Sequence, residues 1–485
     1  MSDDFDVVVV GSGGGGGVVA GELAWRGRDV LLLETGRHLT AADFTRWEAK
    51  ATHDLFWPLR LAHVGGGEML AFLAGRCVGG TTTINTKVAL RAHERDVAKW
   101  HEATGLTNEH GQPFAASDLD PYYDRVEQVL GVRERSDWST SLRTVEAGFR
   151  ALGTELEAVH SYTDANCTRC GSCLQGCPTN AGKSTMNTYI HDAWVRGLLE
   201  LRAEAHVDRV LIDGSEATGV EYTDSSGATR TVRAGAVVVA GGALNTPQIL
   251  LRSGLANPAV GKHLGLHPVR LVYGLYDEPQ DAHMVYPISA HCMAFQHDED
   301  GGFVLEATTI QDPISFATTL TDEHGPLWGQ RLVDAARRFR YWSGVLAMVN
   351  DENNASVAVG EDGAERFEID FNERERGRID AAFDFSRKVL EASGATQVCW
   401  TGLASTHVQG SARMGDDPVL SVVDRNCESH EVKRLFVGDG SLVPRTLSVN
   451  PSLTIMALAT RLAEHLDGDP NGYLSQQSAG VTAAA

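Results

Sequence analysis

The sequence predicts an α/β chain built on a parallel, dinucleotide-binding sheet, with a second stretch of short strands set into it. Three observations carry that expectation. Asp6-Val-Val-Val-Val-Gly11-Ser-Gly13-Gly-Gly-Gly16 reads as an apolar strand entering a glycine turn. A helix-like segment then leads to Val30-Leu-Leu-Leu-Glu34, a second strand ending in an acid. Between about 268 and 400 the pattern changes to short β-like runs, such as Arg270 to Leu275 and Ala355 to Val359, with turn residues between them.

The first unit has a physical logic. A glycine turn lets phosphates approach the main chain, the following helix offers its N-terminus to the pyrophosphate, and the acid closing the second strand meets a ribose hydroxyl. Gly11, Gly13, Gly16 and Glu34 are the residues that pattern selects. It predicts a dinucleotide and does not distinguish FAD from NAD. Further on, Ala234-Gly-Ala-Val-Val-Val-Ala-Gly-Gly reads as a buried parallel strand feeding another glycine turn, and Ser452 to Leu466 as an apolar helix ending before Asp467-Gly468.

With 485 residues and 42% hydrophobic content, the chain can bury a large core in two or three lobes. Its formal charge of -22 argues against nucleic acid or an anionic membrane as partner, since phosphate binding needs clustered Lys and Arg. A cationic substrate is compatible with it. No apolar run approaches the roughly 20 residues that span a bilayer. The start, with Asp3, Asp4 and Asp6 leading straight into a strand, lacks a basic n-region and a separate apolar core, so a cytoplasmic location is expected.

Later blocks narrow the cofactor. Gly75-Arg-Cys-Val-Gly79-Gly80-Thr81-Thr-Thr-Ile84-Asn85, followed by Arg91, Asp96 and Trp100, resembles the first signature of the glucose-methanol-choline (GMC) oxidoreductases. Gly241-Gly-Ala-Leu-Asn-Thr-Pro-Gln-Ile-Leu-Leu-Arg-Ser-Gly-Leu255 resembles the second. His407-Val-Gln-Gly410-Ser-Ala-Arg-Met-Gly415, Val437-Gly-Asp439-Gly-Ser441 and Val449-Asn450-Pro451-Ser-Leu-Thr454 are similar to the family's C-terminal end.

The resemblance implies a Rossmann-like FAD-binding lobe of GMC type and an antiparallel-sheet substrate-binding lobe covering the flavin. The expected division is 1–267 for the first part of the FAD lobe, with a cysteine-rich insert near 160–185, 268–400 for the substrate lobe, 401–467 for the second part of the FAD lobe, and 468–485 for a mobile tail. It also implies FAD contacts at Gly79, Gly80, Thr81 and Asn85, at Asp439 near the ribityl and pyrophosphate, and at Asn450-Pro451 over the ring. Ile84 stands where some relatives attach the flavin through histidine, so noncovalent FAD is expected.

Oxidising an alcohol requires a hydride to leave carbon for flavin N5 while a base removes the hydroxyl proton. His407 matches the family's catalytic histidine, and Asn450 the position that holds His or Asn in relatives and hydrogen-bonds the same oxygen. An amide there cannot share the base role. His267, in a family-like Val-Gly-Lys-His-Leu-Gly-Leu-His run, is read as structural.

Cys167-Thr-Arg-Cys170-Gly-Ser-Cys173-Leu-Gln-Gly-Cys177-Pro178 has the cysteine spacing of bacterial ferredoxins, whose thiolates wrap an iron-sulfur cubane. Three readings stand: a three-iron or four-iron cluster passing electrons from FAD to a carrier, zinc on four thiolates, and disulfides or reduced thiols. A second run is missing, because Cys77, Cys292, Cys399 and Cys427 are scattered. Cysteine-rich segments also occur here in long-chain alcohol oxidases and cluster-bearing sugar dehydrogenases of the family.

The expected activity is FAD-dependent oxidation of a sugar-like alcohol, with oxygen, an electron-acceptor protein or a dye-like carrier removing the electrons. Alternatives are an oxidase of long-chain or neutral alcohols and a flavin electron-transfer or lyase protein. The acidic balance resembles the GMC dehydrogenases of aminoglycoside biosynthesis, which suggests an amino sugar. Gln296-His-Asp-Glu-Asp300 is the candidate acidic segment to meet its ammonium group.

Overall fold

The computed structural model describes residues 4–65, 68–308 and 313–474. Asp4–Val10 lies at the centre of a parallel array, paired with Val30–Leu33 on one side and the end of Thr229–Val239 on the other. Leu199–Arg202 extends it beyond Val30–Leu33, and Leu435–Val437 lies beside Thr229–Val239. Val7 to Val10 are buried on both faces, which is why this run is continuously apolar rather than alternating. His206–Asp213 and Glu216–Thr223 extend the sheet as antiparallel strands.

Helices Gly16–Trp25 and Ser452–Gly468 pack together beside this sheet. A Cβ at Gly15 would stand 1.7 Å from the Gly438 carbonyl oxygen, so glycine alone permits the approach.

The second sheet has eleven strands among the described residues. Its centre, Val269–Leu275, Trp342–Val349, Phe303–Thr308 and Ile288–Cys292, is antiparallel throughout. Helix Glu373–Ala392 packs on it, started by a capping box in which Asn372 and Glu375 bond each other's backbone N–H at 2.9 and 2.8 Å. Strands from the N-terminal part of the chain also join this sheet: Glu157–Ala158 beside Ile288–Cys292, and Arg60–His63 with Met69–Phe72 through Leu403–Ser405. Ser356–Val359 forms a separate hairpin with Glu365–Glu368.

The C-terminal helix runs two residues past Leu466, and the described part of the expected mobile tail is packed. Tyr473 Oη donates to Glu428 at 2.8 Å and Leu474 is buried. Residues 475–485 lie outside the described chain. No helix among the described residues is long and apolar enough to cross a membrane.

Candidate active site

A cavity of about 740 Å³ lies where the two sheets face each other. Of the sequence-selected residues, Gly11, Gly13, Glu34, Gly80, Thr81, Asn85, His407, Asp439, Asn450 and Pro451 line it. Gly16 and Gly79 stand behind the lining. A Cβ at Gly16 would meet the Gly11 carbonyl oxygen at 2.0 Å, and Gly79 donates its N–H to Ser12 Oγ at 2.9 Å.

At one end of the cavity the polar groups are held by the protein. Glu34 accepts the N–H and O–H of Ser12 at 3.1 and 2.6 Å and the N–H of Gly36 at 2.7 Å. Burial raises its carboxyl above the usual range, and these donors and Arg76 pull it back. Asp439 accepts from Gly242 N–H at 2.7 Å, Thr246 Oγ1 at 2.5 Å, and Ser441 N–H and Oγ at 2.8 and 2.6 Å. Nothing lies within 4 Å of where a Gly13 Cβ would stand. An open backbone cradle beside an oriented carboxylate suits a dinucleotide diphosphate and its ribose. Ala205, His206 and Val207 complete this wall and carry no motif that sequence reading could have used.

The other end is built differently. His407 follows strand Leu403–Ser405, and its segment is pinned by reciprocal bonds between Gly265 and Gln409 at 2.8 and 2.9 Å. Gly410 has φ +90°, and a Cβ there would lie 2.2 Å from the His263 carbonyl oxygen. Asn450 comes two residues after Ser448, which donates N–H and Oγ to buried Asp96 at 2.9 and 2.5 Å. Pro451 then starts helix Ser452–Gly468, directing its partial positive end at the cavity.

His407 is half-buried, with its Nδ1 fully enclosed, and packs against His267, ring centroids 5.3 Å apart. Burial pushes the His407 imidazole down to about 4, and His267 well below its ordinary value with His407 as a second cause. His407 Nδ1, Asn450 Oδ1 and both His267 nitrogens have no hydrogen-bond partner among the described residues. His267 holds a left-handed corner, φ +48°, whose N–H groups at 266 and 267 go to buried Asp351 at 2.9 and 3.1 Å.

Glu306 is the functional candidate that sequence reading missed. It is 1% exposed, lines the cavity, and neither carboxylate oxygen has a hydrogen-bond partner among the described residues. Burial pushes its carboxyl up to about 7, and the nearby Asn450 amide, outside normal hydrogen-bond geometry, opposes this. Leu346 is its cross-strand neighbour, with Leu271 beyond. The available signal was an acid in Phe303-Val-Leu-Glu-Ala-Thr308, a run buried at every position.

Two sequence expectations find no support here. The acidic segment 296–300 is absent from the cavity lining, and Asp298 and Glu299 are already paired. Asp298 pairs with Lys99 at 3.3 Å and Arg378 at 3.0 Å, and Glu299 with Arg95 at 2.5 Å. Gln296 donates to Ser448 Oγ at 2.8 Å.

The cluster spacing finds no support either. Cys167, Cys170, Cys173 and Cys177 border one cavity of about 10 Å³, room for about one water. Among the described residues, no group of three or more His, Cys, Asp or Glu could hold a metal. The thiols are free and engaged locally: Cys177 Sγ accepts Gly182 N–H at 3.2 Å, and Lys87 packs beside it across Gly182.

The GMC oxidoreductase family matches this chain twice, its N-terminal part over residues 5–269 and its C-terminal part over 334–459. A long-chain-alcohol oxidase of Arabidopsis thaliana is 27% identical, covering 94% of this chain, which spans 66% of that protein. An uncharacterized GMC-type oxidoreductase of Mycobacterium tuberculosis is 30% identical over 95% of this chain and 75% of its own length. Paromamine 6'-oxidase of Streptomyces fradiae is 28% identical over 96% of this chain and 92% of its own. In fold, the chain is similar to a pyridoxine 4-oxidase from Mesorbium loti, TM-score 0.75 at 18% identity over 95% and 99% of the two chains. The signatures in order, the cradle between two sheets and these matches together make the chain a member of the GMC oxidoreductase family, an FAD-binding fold.

Proposed function

We propose that this enzyme oxidises the CH–OH group of a small-molecule alcohol to an aldehyde or ketone, with His407 as base. The observation that supports this most is the set of buried polar atoms on His407, Asn450 and Glu306 left without protein partners around one cavity. Buried polar groups are normally paired, and unpaired ones mark where a ligand supplies the bond. Noncovalently bound FAD supplies the hydride acceptor.

The residues divide the remaining work. A base must be neutral before it takes a proton, and burial keeps His407 neutral at pH 7. Asn450 presents an amide to the same oxygen and steadies charge developing there without competing for the proton. The base role disfavours a pure electron-transfer protein, which would have no need of it. Ile84 lines the cavity and has no group for a covalent flavin link, so denaturation should release all the flavin.

The substrate we favour is a cationic alcohol, an amino sugar in particular, with Glu306 rather than the 296–300 segment meeting the ammonium. A carboxylate buried without a partner is costly unless a cation pairs it. The similarity to paromamine 6'-oxidase supports this reading. A second reading is favoured by the apolar sheet residues Val269, Leu271, Ile288 and Leu346 on the cavity wall, which suit the alkyl chain of a long-chain alcohol.

Anaerobic flavin reduction by an amino sugar, glucose and a fatty alcohol, each at low and high ionic strength, separates these. Fastest reduction by the amino sugar, weakening with salt, is expected. Reduction by the fatty alcohol alone would establish the second reading.

A further inference from the structure

The hairpin Arg60–His63/Met69–Phe72 comes from the cofactor half of the sequence yet joins the substrate sheet, so it carries Arg60 across to the cavity. The guanidinium is held on three sides. Its Nη2 donates to Asn245 Oδ1 at 2.8 Å, Nε lies 3.3 Å from Glu365, and its carbon sits 4.8 Å over the Trp57 ring. Glu365 is fixed in turn by Gln248. Its Nη1 is buried and has no partner among the described residues. A positioned guanidinium with one N–H pair left over is prepared to bind an anion.

The anion can be identified from what lies next to it. A Cβ at Gly11 would stand 3.2 Å from Gly241 Cα, and one at Gly241 would stand 3.4 Å from Asn245 Cβ. The glycine turn, Gly241, Asn245 and Arg60 are therefore stacked in sequence along one wall of the cavity. That turn contributes neutral backbone N–H groups, and helix Gly16–Trp25 has no basic residue in its last turn and no acid in its first. Of the carboxylates on this part of the lining, Glu34 and Asp439 are satisfied by protein donors and Glu365 is paired with Arg60.

We propose that Arg60 is a positioning residue for the cofactor, its free Nη1 reaching the diphosphate of FAD from further along the wall that begins at the glycine turn. The turn supplies dipoles, and Arg60, partly balanced by Glu365, supplies a charged N–H donor from a different stretch of the chain. Because the hairpin also belongs to the substrate sheet, cofactor retention and the seating of the two sheets on each other become coupled.

The test is binding to the apoprotein, read by quenching of flavin fluorescence and by calorimetry with ADP and adenosine. Arg60→Met is expected to weaken FAD and ADP by about 10-fold to 100-fold, the worth of a charged hydrogen bond, and adenosine hardly at all. Arg60→Lys should recover part of the loss, and the salt dependence of FAD binding should flatten in Arg60→Met alone. Equal losses for ADP and adenosine, or wild-type FAD affinity in Arg60→Met, would overturn the assignment. Wild-type apoprotein that bound no FAD would instead remove the cofactor reading beneath it. Melting temperatures of the apo variants identify any that fail to fold, and Arg60→Lys then decides, wild-type ADP affinity with weakened adenosine counting against the proposal.

Discussion

The two ends of the central cavity contain the same kinds of groups in opposite states. At the cofactor end, Glu34 and Asp439 are saturated with short hydrogen bonds from Ser12, Gly36, Gly242, Thr246 and Ser441. At the end we propose to be catalytic, His267, Glu306 and Asn450 are buried and His407 is half-buried, and all four have buried polar atoms without partners among the described residues. Satisfied groups fix a shape in advance, whereas the orphans cost stability until a ligand completes them. The difference separates residues that build the cradle from residues that await the reacting molecule.

The largest break in that contrast should come from the base. His407→Ala is expected to bind FAD and lose about 100-fold to 10,000-fold in the rate of anaerobic flavin reduction, measured by stopped flow. Retention of the wild-type rate would show that another group takes the proton. Asn450→Ala should lose less, since it removes a hydrogen bond and leaves the base.

Glu306 sharpens the contrast through pH. Its carboxyl titrates at about 7, so it is neutral below that pH and anionic above it. For a permanently cationic alcohol, kcat/KM should rise as pH climbs through 7, and Glu306→Gln should abolish the rise and cost about 10-fold to 100-fold above it. His407 contributes no limb near 7, because burial holds its titration at about 4 and it stays neutral across this range. A Glu306→Gln profile identical to wild type would remove the carboxylate from substrate recognition.

A smaller effect is expected where the lobes meet at the rim. Glu48, in the first turn of helix Glu48–Leu55, accepts the N–H groups of Ile314 and Ser315 at 2.7 Å each. Ser315 and Phe316 line the cavity, so this contact spans its margin. Glu48→Gln should raise KM by about threefold to tenfold with little change in flavin reduction at saturation. An unchanged KM would make the contact purely structural.

The smallest effect is expected at the cysteines. Cys170→Ser should leave flavin reduction unchanged, and metal analysis of the wild type should find no stoichiometric iron. Three or four irons per chain, falling in Cys170→Ser, would show that the loop rearranges around a cluster.

Much of the cofactor end was legible in the sequence because local rules govern it. A glycine turn between a strand and a helix, an acid at the end of the next strand, and Gly75 to Asn85 each act within a few residues of their own backbone. His407 and Asn450 were selected through the resemblance of their blocks to the family's C-terminal end, and both line the cavity. The cysteine spacing was equally plain as a pattern, yet spacing along a chain does not set the volume the sulfurs enclose, here about 10 Å³.

By itself, then, the sequence determined the glycine cradle, the parallel strands around Asp4–Val10 and the residues that open the catalytic turn, since strand burial, turn geometry and helix starts are read from contiguous residues. Tertiary structure alone decided which charges are free. The acids at 298 and 299 are conspicuous in sequence but neutralised by Lys99, Arg378 and Arg95, which lie from 80 to 204 positions away. Glu306 and Arg60 are inconspicuous, and the packing of strands from distant parts of the chain leaves both Glu306 oxygens and Arg60 Nη1 without partners among the described residues. Whether a charge is spent or available depends on what is placed against it in space, and burial, which multiplies that choice in energy, has no local signature.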